Sequence, residues 1–172
     1  MFASFLPEDV ALAVVGQTTL IDQPEATLHP AEQALLSPNA SAKRQRDFKL
    51  GRLAARKALA QLGCKPGTAP ILQGIKGEPL WPGSVVGSIS HAAGWAVCAA
   101  ADRAAWRALG IDLIDCRRPM MKDIARHICT STEATWIESN TEQAAHQLRL
   151  LFSAKESVFK AFYPICRCFI SF

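Results

Sequence analysis

Residues 85–101 read VVGSISHAAGWAVCAAA, and the organisation of the chain can be worked out from this stretch in both directions. Residues 85–90 and 95–101 are apolar runs of strand length. They are separated by His91-Ala92-Ala93-Gly94, which has the spacing of a hairpin connection. We therefore expect two neighbouring antiparallel strands here.

The end of the first of these strands carries two polar groups, the hydroxyl of Ser90 and the imidazole of His91. Together they can hold phosphate oxygens, although a capped turn with a surface histidine is the commoner origin of such a pair. No Gly-x-Ser-x-Gly elbow surrounds Ser88 or Ser90, so the sequence gives no support for a nucleophilic serine.

Downstream, residues 109–114 form a third candidate strand with a single acid, Asp112, inside an aliphatic run. Side chains alternate along a strand, which places Gly110, Asp112 and Ile114 on one face. A lone aspartate more often caps a turn. A carboxylate buried among aliphatic residues instead needs a cation or strong donors, so we expect a metal ion or a basic side chain beside Asp112.

Upstream, an apolar run at residues 10–15 predicts a strand, and a short helix is expected near residues 31–36. Residues 43–59 form a longer, basic helix. At 100° per residue its apolar face contains Phe48, Ala55, Leu59 and Leu62. The basic side chains beside that face, which can point into a cleft, are Lys49, Arg52 and Arg56.

The last third of the chain predicts three helices, at residues 122–127, 131–138 and 142–162, with a capping box from Thr130 to Glu133. In the last helix the predicted core stripe comprises Leu148, Leu151, Phe152, Val158, Phe159 and Phe162. Lys155 projects from this stripe, and its stem can pack while its ammonium reaches water. Glu156 and Lys160 have the i, i+4 spacing of a surface ion pair.

The composition of the chain argues against several classes of protein. The chain has 172 residues, 49% of them hydrophobic, and a net charge of only +4, which is too low for a dedicated nucleic-acid binder. Its beginning does not resemble a signal peptide, and no apolar run approaches the roughly 20 residues of a membrane span. The six scattered cysteines indicate neither a zinc site nor a disulfide framework. We expect a cytoplasmic, reduced protein.

Five motifs in order along the chain resemble the 4'-phosphopantetheinyl transferase superfamily of the Sfp type, and within it the enterobactin synthetase component D group. The first is Arg44 with Gly51-Arg52-x-Ala54-Ala55-Arg56-x-Ala58-Leu59. The others are Lys76-Gly77-Glu78-Pro79-x-Trp81-Pro82, Val86-Gly87-Ser88-Ile89-Ser90-His91, Gly110-Ile111-Asp112, and Phe152-Ser153-Ala154-Lys155-Glu156-Ser157-x-x-Lys160-Ala161.

The resemblance implies an α+β fold of two similar lobes, here residues 1–108 and residues 109–172, with coenzyme A bound between them. Relatives continue with further strands, so the second lobe is expected to be incomplete at its C-terminus. The implied enzyme is a holo-carrier-protein synthase. It transfers 4'-phosphopantetheine from coenzyme A to a serine of an acyl, peptidyl or aryl carrier protein, in the presence of Mg²⁺, and releases 3',5'-ADP.

The resemblance also implies roles for individual residues. Arg44 and Arg52, assisted by Arg56, would hold the 3'-phosphate and adenosine. Lys76, Gly77, Glu78 and Pro79 would line the adenine pocket. Ser90 and His91 would contact the phosphates, and Lys160 would steady the diphosphate. Asp112, Glu156 and the Leu113 carbonyl would be Mg²⁺ ligands. Glu156, or a water that it holds, would take the serine proton, with Lys155 assisting by its charge or as the base.

One departure from the family pattern concerns the metal: the family commonly has a second acid two residues after the first, where this chain has Ile114. A second hypothesis is therefore a shortened protein that binds coenzyme A or a carrier protein but transfers slowly or not at all. A third is a nucleic-acid module built on residues 43–57. A monomer serving fatty acid, polyketide, nonribosomal peptide or siderophore synthesis is what the resemblance favours.

Overall fold

A computed structural model of the protein describes residues 6–22, 27–64, 69–119, 122–139 and 141–168. The first strand is followed by three helices and then by four strands, and three helices form the last third of the chain. In chain order the elements are β1 (Ala11–Gly16), α1 (Thr18–Asp22), α2 (Pro30–Gln33), α3 (Ala42–Gln61), β2 (Leu72–Gln73), β3 (Pro79–Leu80), β4 (Val85–Ala92), β5 (Trp95–Asp102), α4 (Lys122–Ile128), α5 (Ser131–Glu138) and α6 (Ala144–Cys166).

The predicted hairpin is confirmed as β4 and β5, which pair antiparallel from Val85 opposite Asp102 to Ala92 opposite Trp95. The turn has only two residues, because the strands extend further than expected. Ala93 and Gly94 both have positive φ, 53° and 80°, as a two-residue turn matching the strand twist requires. β1 pairs antiparallel with the other side of β5, so the sheet order is β1-β5-β4.

Helix α3 covers this sheet and contacts all three of its strands. Its N-cap is Ser41, whose Oγ accepts a hydrogen bond of 3.2 Å from the Arg44 amide. The predicted apolar face is confirmed for Phe48, Ala55 and Leu59, which are buried, while Leu62 is half-buried against the core. Small residues in the same face, including Gly51 against the Ile89 side chain, let the helix approach the sheet closely.

The capping box before α5 is confirmed in both directions. The Glu133 amide donates to Thr130 Oγ1 at 3.3 Å, and the Thr130 amide donates to Glu133 Oε2 at 2.7 Å. The predicted core stripe of α6 is wrong at Val158 and Phe162, which are 44% and 55% exposed. Both side chains are therefore only about half covered, so the helical period identifies an apolar face there but not a buried one.

The prediction of a strand at residues 109–114 is wrong. The Ile111 and Leu113 amides donate to Ser88 Oγ at 3.2 Å and Ser90 Oγ at 3.1 Å, so the segment is docked on β4 by side chains and not by a backbone ladder. We name residues 109–113 the acidic segment, because Asp112 lies in it. On its other side Gly110 packs against the backbone of Ser157 in α6.

The architecture is a mixed one of helix and sheet, in agreement with the predicted α+β class. The division into two similar lobes at residues 108 and 109, and the incomplete second lobe, stay predictions. Residues 169–172, at the predicted break in the second lobe, lie outside the described residues. Within the described part of the chain, no helix combines the length and the apolar character needed to cross a membrane.

Candidate functional site

A cleft of about 170 Å³ lies between the β2–β3 hairpin, strand β4 and helix α6. It brings together residues from three of the five sequence motifs, two between residues 76 and 91 and the third between residues 152 and 161. The polar and charged side chains in its wall belong to Lys76, Glu78, Ser88, Glu156, Lys160 and Tyr163. The predicted adenine-pocket residues Gly77 and Pro79 line it as well.

Asp112, Ser90 and His91 are not part of the lining, but the cleft residue Lys160 contacts Asp112, whose carboxylate is 9% exposed and is held by three donors. Lys160 Nζ donates to Oδ1 at 2.6 Å, Ser90 Oγ donates to the same oxygen at 2.9 Å, and Ser153 Oγ donates to Oδ2 at 3.0 Å. The expected strong partner of a buried carboxylate is thus confirmed as a basic side chain, Lys160.

Ser90 connects the acidic segment to the strand beneath it. Its hydroxyl donates to Asp112 while it accepts from the Leu113 amide at 3.1 Å and from Lys160 Nζ at 3.1 Å. Residues 88 and 90 lie on the same face of β4, so Ser88 repeats this docking two residues earlier, at the Ile111 amide. Sequence reasoning assigned Ser90 to phosphate contact and missed its role in holding Asp112.

The predicted Mg²⁺ ligands are Asp112, Glu156 and the Leu113 carbonyl. Oxygen donors of this kind suit Mg²⁺. In the structure, however, the positive group beside Asp112 is the ammonium of Lys160, and no three His, Cys, Asp or Glu side chains among the described residues are grouped to hold a metal ion. The donor chemistry therefore fits a hard cation, but only once Lys160 leaves the carboxylate.

His91 lies at the end of β4 and faces helix α3. Its Nδ1 is 3.8 Å from Oδ2 of Asp47, a nearly buried carboxylate that also pairs with Lys43. Burial lowers the pKa of His91, Asp47 opposes that change, and the positive charges of Arg44, Lys43 and Lys160 add to it. Sequence reasoning missed Asp47, although an acid next to Phe48 on the buried side of α3 was a visible signal.

Arg52 and Arg56 do not open onto the cleft, because both turn toward Glu32, which is fully buried. Arg56 Nη2 hydrogen-bonds Glu32 Oε2, and the Arg52 Nε lies 4.0 Å from Oε1. Glu32 also accepts from the Ile71 amide at 2.9 Å, so it joins α2, α3 and the start of β2. Sequence reasoning missed Glu32, whose charged partners Arg52 and Arg56 are 20 or more residues away.

Arg52 is itself buried, and its guanidinium stacks over the Phe48 ring at 4.4 Å from the centroid. Burial lowers its pKa to about 10, against the opposing charge of Glu32. Its Nε and Nη2 have no hydrogen-bond partner among the described residues. Arg44, in contrast, is exposed at the start of α3. Of the arginines expected to hold the 3'-phosphate, Arg44 is therefore the most exposed, since the Arg56 side chain is only 22% exposed.

Glu78 organises the hairpin that carries the predicted adenine pocket. Its Oε2 accepts from the Lys76 amide at 3.0 Å, and its Oε1 is bonded to Arg167 at the end of α6. The turn also needs Gly77, whose φ is 86°. The carboxylate thus ties the β2–β3 hairpin to the end of helix α6.

Of the two predicted catalytic residues, Glu156 lines the cleft and Lys155 does not. The Lys155 ammonium bonds the Ile128 carbonyl at the end of α4 and Glu133 Oε2 at 2.7 Å in α5. It also lowers the pKa of Glu133. Lys155 therefore joins the three last helices, and a direct catalytic role for it stays a prediction.

Comparisons with known proteins cover nearly the whole chain. Residues 31–101 match the family model of the 4'-phosphopantetheinyl transferase N-terminal domain, and residues 108–172 match that of the 4'-phosphopantetheinyl transferase superfamily. The 4'-phosphopantetheinyl transferase Npt of Nocardia iowensis is 36% identical over 166 residues, covering 96% of this chain and 72% of the relative.

Two further relatives show how much of each protein the chain spans. The 4'-phosphopantetheinyl transferase PptT of Mycobacterium tuberculosis is 36% identical over 172 residues, covering all of this chain and 74% of the relative. Enterobactin synthase component D of Salmonella typhimurium is 35% identical over 132 residues, covering 72% of this chain and 50% of the relative. The chain is thus similar to about three quarters of the first protein and half of the second.

Proposed function

Because the chain belongs to the 4'-phosphopantetheinyl transferase superfamily and is a transferase of that type, we propose that it moves the phosphopantetheine arm of coenzyme A onto a serine of an acyl, peptidyl or aryl carrier protein. The product released is 3',5'-ADP. Siderophore, nonribosomal peptide, polyketide and fatty acid synthesis are the settings in which such carriers occur. We propose a monomer acting in the cytoplasm.

The observation that carries this proposal is the cleft that Lys76, Glu156 and Lys160 line together. Two ammonium groups and the Glu156 carboxylate in the lining of one cleft suit the transfer of a phosphoryl group from a diphosphate to a hydroxyl group. The cations offset the charge of the diphosphate oxygens, and the carboxylate is available for the hydroxyl proton.

In the proposed reaction Lys160 and Lys76 hold the diphosphate, while exposed Arg44 and the nearby His91 hold the 3'-phosphate and the phosphate oxygens. Glu156, directly or through a water, accepts the proton of the carrier serine. The serine oxygen forms a bond to the β-phosphorus of coenzyme A as the bridging phosphorus–oxygen bond to the leaving 3',5'-ADP breaks. Lys155 is the alternative base, acting as a neutral amine once it has lost its proton and left Glu133.

Asp112, Glu156 and the Leu113 carbonyl are the groups that would hold Mg²⁺. The ion, when bound, would neutralise negative charge on the diphosphate. Two groups of the chain prepare this arrangement. The hydroxyls of Ser90 and Ser153 fix the Asp112 carboxylate from two sides, so its oxygens keep one orientation.

Ile114 supports a second candidate function. It stands two residues after Asp112, where the family commonly has a second acid, and it offers no oxygen from its side chain. A protein with one ligand fewer would bind coenzyme A or a carrier protein and transfer slowly. Holo-carrier formation separates this candidate from the first, and salt-sensitive oligonucleotide binding without coenzyme A binding would favour the nucleic-acid hypothesis instead.

The test is intact mass spectrometry of an apo-carrier protein incubated with the chain, coenzyme A and Mg²⁺. We expect a mass gain of one phosphopantetheine group, which Glu156→Gln abolishes. Glu138→Gln, at an exposed position of α5, is the matched control and should leave the gain unchanged. No gain with the unaltered chain, while coenzyme A binds by calorimetry, would replace the transferase with the binding protein.

A further inference from the structure

The ammonium of Lys160 takes the position next to Asp112 that a metal ion would need. Its Nζ donates to Asp112 Oδ1 at 2.6 Å, to Ser90 Oγ at 3.1 Å and to the Ile111 carbonyl at 3.4 Å. Two of these acceptors belong to the acidic segment, and the third belongs to strand β4. The contacts of the ammonium are those of a bound cation, and all of its acceptors are oxygens.

A divalent ion on the same carboxylate would lie about 2.1 Å from an Asp112 oxygen. The two positive groups would then be only a few ångströms apart at a largely buried site, where repulsion between like charges is poorly screened. Asp112 therefore cannot keep Lys160 and accept the metal ion at the same contact. One cation has to leave before the other binds.

The ammonium of Lys160 can move from Asp112 into the cleft. Its side chain is a quarter exposed and forms part of the wall of the cleft, together with Lys76 and Glu156. Its flexible four-carbon stem lets the ammonium turn from Asp112 to an anion bound in that cleft. The hydroxyls of Ser90 and Ser153 remain on the carboxylate when the ammonium leaves, so the ligand oxygens stay in place.

We propose that Lys160 acts as an internal cation that closes the metal site of Asp112 until the diphosphate of coenzyme A draws its ammonium away. This inference rests on the proposed function. Its consequence is that the metal ion and the diphosphate bind with positive cooperativity, because the first ligand removes the group that competes with the second. Without the diphosphate, the chain binds a divalent ion weakly.

The inference is tested by titrating the chain with Mn²⁺ alone and following the free ion by electron paramagnetic resonance. Mn²⁺ takes the same oxygen ligands as Mg²⁺. Replacing Lys160 by methionine removes the competing charge, so we expect Lys160→Met to bind Mn²⁺ at least about fivefold more tightly than the unaltered chain. Lys57→Met, at an exposed position of α3, is the matched control and should not change the affinity.

Lys160→Gln keeps a hydrogen-bond donor for Asp112, so it provides a second test if the methionine variant does not fold. Circular dichroism establishes whether each variant is folded. An equal or weaker Mn²⁺ affinity in both folded Lys160 variants would overturn the inference. So would a tighter affinity that persists after Asp112→Asn is added to Lys160→Met, since the ion would then bind elsewhere.

The second part of the test measures Mn²⁺ binding in the presence of coenzyme A. We expect saturating coenzyme A to raise the Mn²⁺ affinity of the unaltered chain by a larger factor than that of Lys160→Met, because the phosphates contribute to both but only the first gains a vacated carboxylate. 3',5'-ADP, which has no diphosphate, should give no such difference. An equal increase in Mn²⁺ affinity in the unaltered chain and in Lys160→Met would overturn the inference. The mass-spectrometric assay of the unaltered chain judges the transferase separately, so the two failures are distinguishable.

Discussion

Gly110 lies directly against Ser157: a methyl group on its α-carbon would come within 1.8 Å of the Ser157 carbonyl oxygen. The backbone of the acidic segment and the backbone of α6 therefore touch with no side chain between them. This contact lets Lys160 and Ser153 of the same helix reach Asp112. The close approach of two backbones thus positions the whole site.

Gly110→Ala is expected to reduce the free energy of unfolding by about 3 kcal/mol, since a rigid backbone oxygen cannot move aside as a flexible side chain does. Urea unfolding followed by circular dichroism measures the change. Gly51→Ala is the matched control. Its new methyl would meet the end of the Ile89 side chain at 3.2 Å and gains helix propensity, so we expect little loss or a small gain. Equal effects of the two substitutions would refute this explanation.

Glu32→Gln should destabilise the chain by about 3 kcal/mol, because it leaves the buried guanidinium of Arg52 and the neighbouring Arg56 without a counter-charge. Urea unfolding is again the measurement. Glu142→Gln, at an exposed position before α6, is the control and should change stability by less than about 0.5 kcal/mol. If Glu32→Gln is as mild as its control, the ion cluster does not hold α2 and α3 together.

Asp47→Asn is expected to lower the pKa of His91 further, because Asp47 is the acid that opposes the effects of burial and of Arg44, Lys43 and Lys160. A histidine whose pKa is lower in the folded state binds fewer protons than it does unfolded, so stability falls as the pH drops below about 6.5. The stability difference between the variant and the unaltered chain should therefore be larger at about pH 5 than at about pH 8.

Histidine resonances followed by NMR during a pH titration give the His91 pKa directly, and urea unfolding at both pH values gives the stability difference. Lys43→Met tests the assignment: it removes a positive charge near His91, so it should move the pKa in the opposite direction. A His91 pKa that stays unchanged in Asp47→Asn would show that the carboxylate does not act on the imidazole.

Lys155 and Glu133 should show an interaction energy of about 0.5–1 kcal/mol in a double-mutant cycle of Lys155→Met and Glu133→Gln. The pair lowers the pKa of Glu133, so its contribution is present above the unfolded pKa of glutamate and is lost as the pH falls through the lower folded value. Thermal unfolding of the four proteins near neutral pH measures the energy. Additive effects of the two substitutions would mean that the pair does not stabilise the contact between α5 and α6.

The parts of the fold that depend on neighbours in sequence could be predicted. The β4–β5 hairpin, the capping box at Thr130 and helix α3 each follow from a local pattern, and each is present. The acidic segment could not be predicted as it is. Its apolar alternation is typical of a strand, but its amides bond the hydroxyls of Ser88 and Ser90, more than 20 residues earlier.

Residues of the site could be predicted where a sequence motif specifies the residue type. Their contacts could not be predicted where residues that are distant in sequence compete for the same partner. The sequence indicates a cation or donor for Asp112 but cannot say that Lys160 supplies it. Arg52 and Arg56 were expected to hold phosphate because guanidinium groups suit it. The buried Glu32, far away in sequence, turns both inward instead.

The hydroxyls of Ser88 and Ser90 have a consequence for how the site can vary. Backbone pairing completes the sheet of β1, β5 and β4 without the acidic segment, which is held to it by two serine hydroxyls and by the packing of Leu109 and Ile111. The sheet and the acid beside it can therefore change independently in evolution. Substitutions at the two serine positions can reposition the carboxylate while the hairpin beneath keeps its pairing, so the chemistry of this edge can diverge among relatives that share one scaffold.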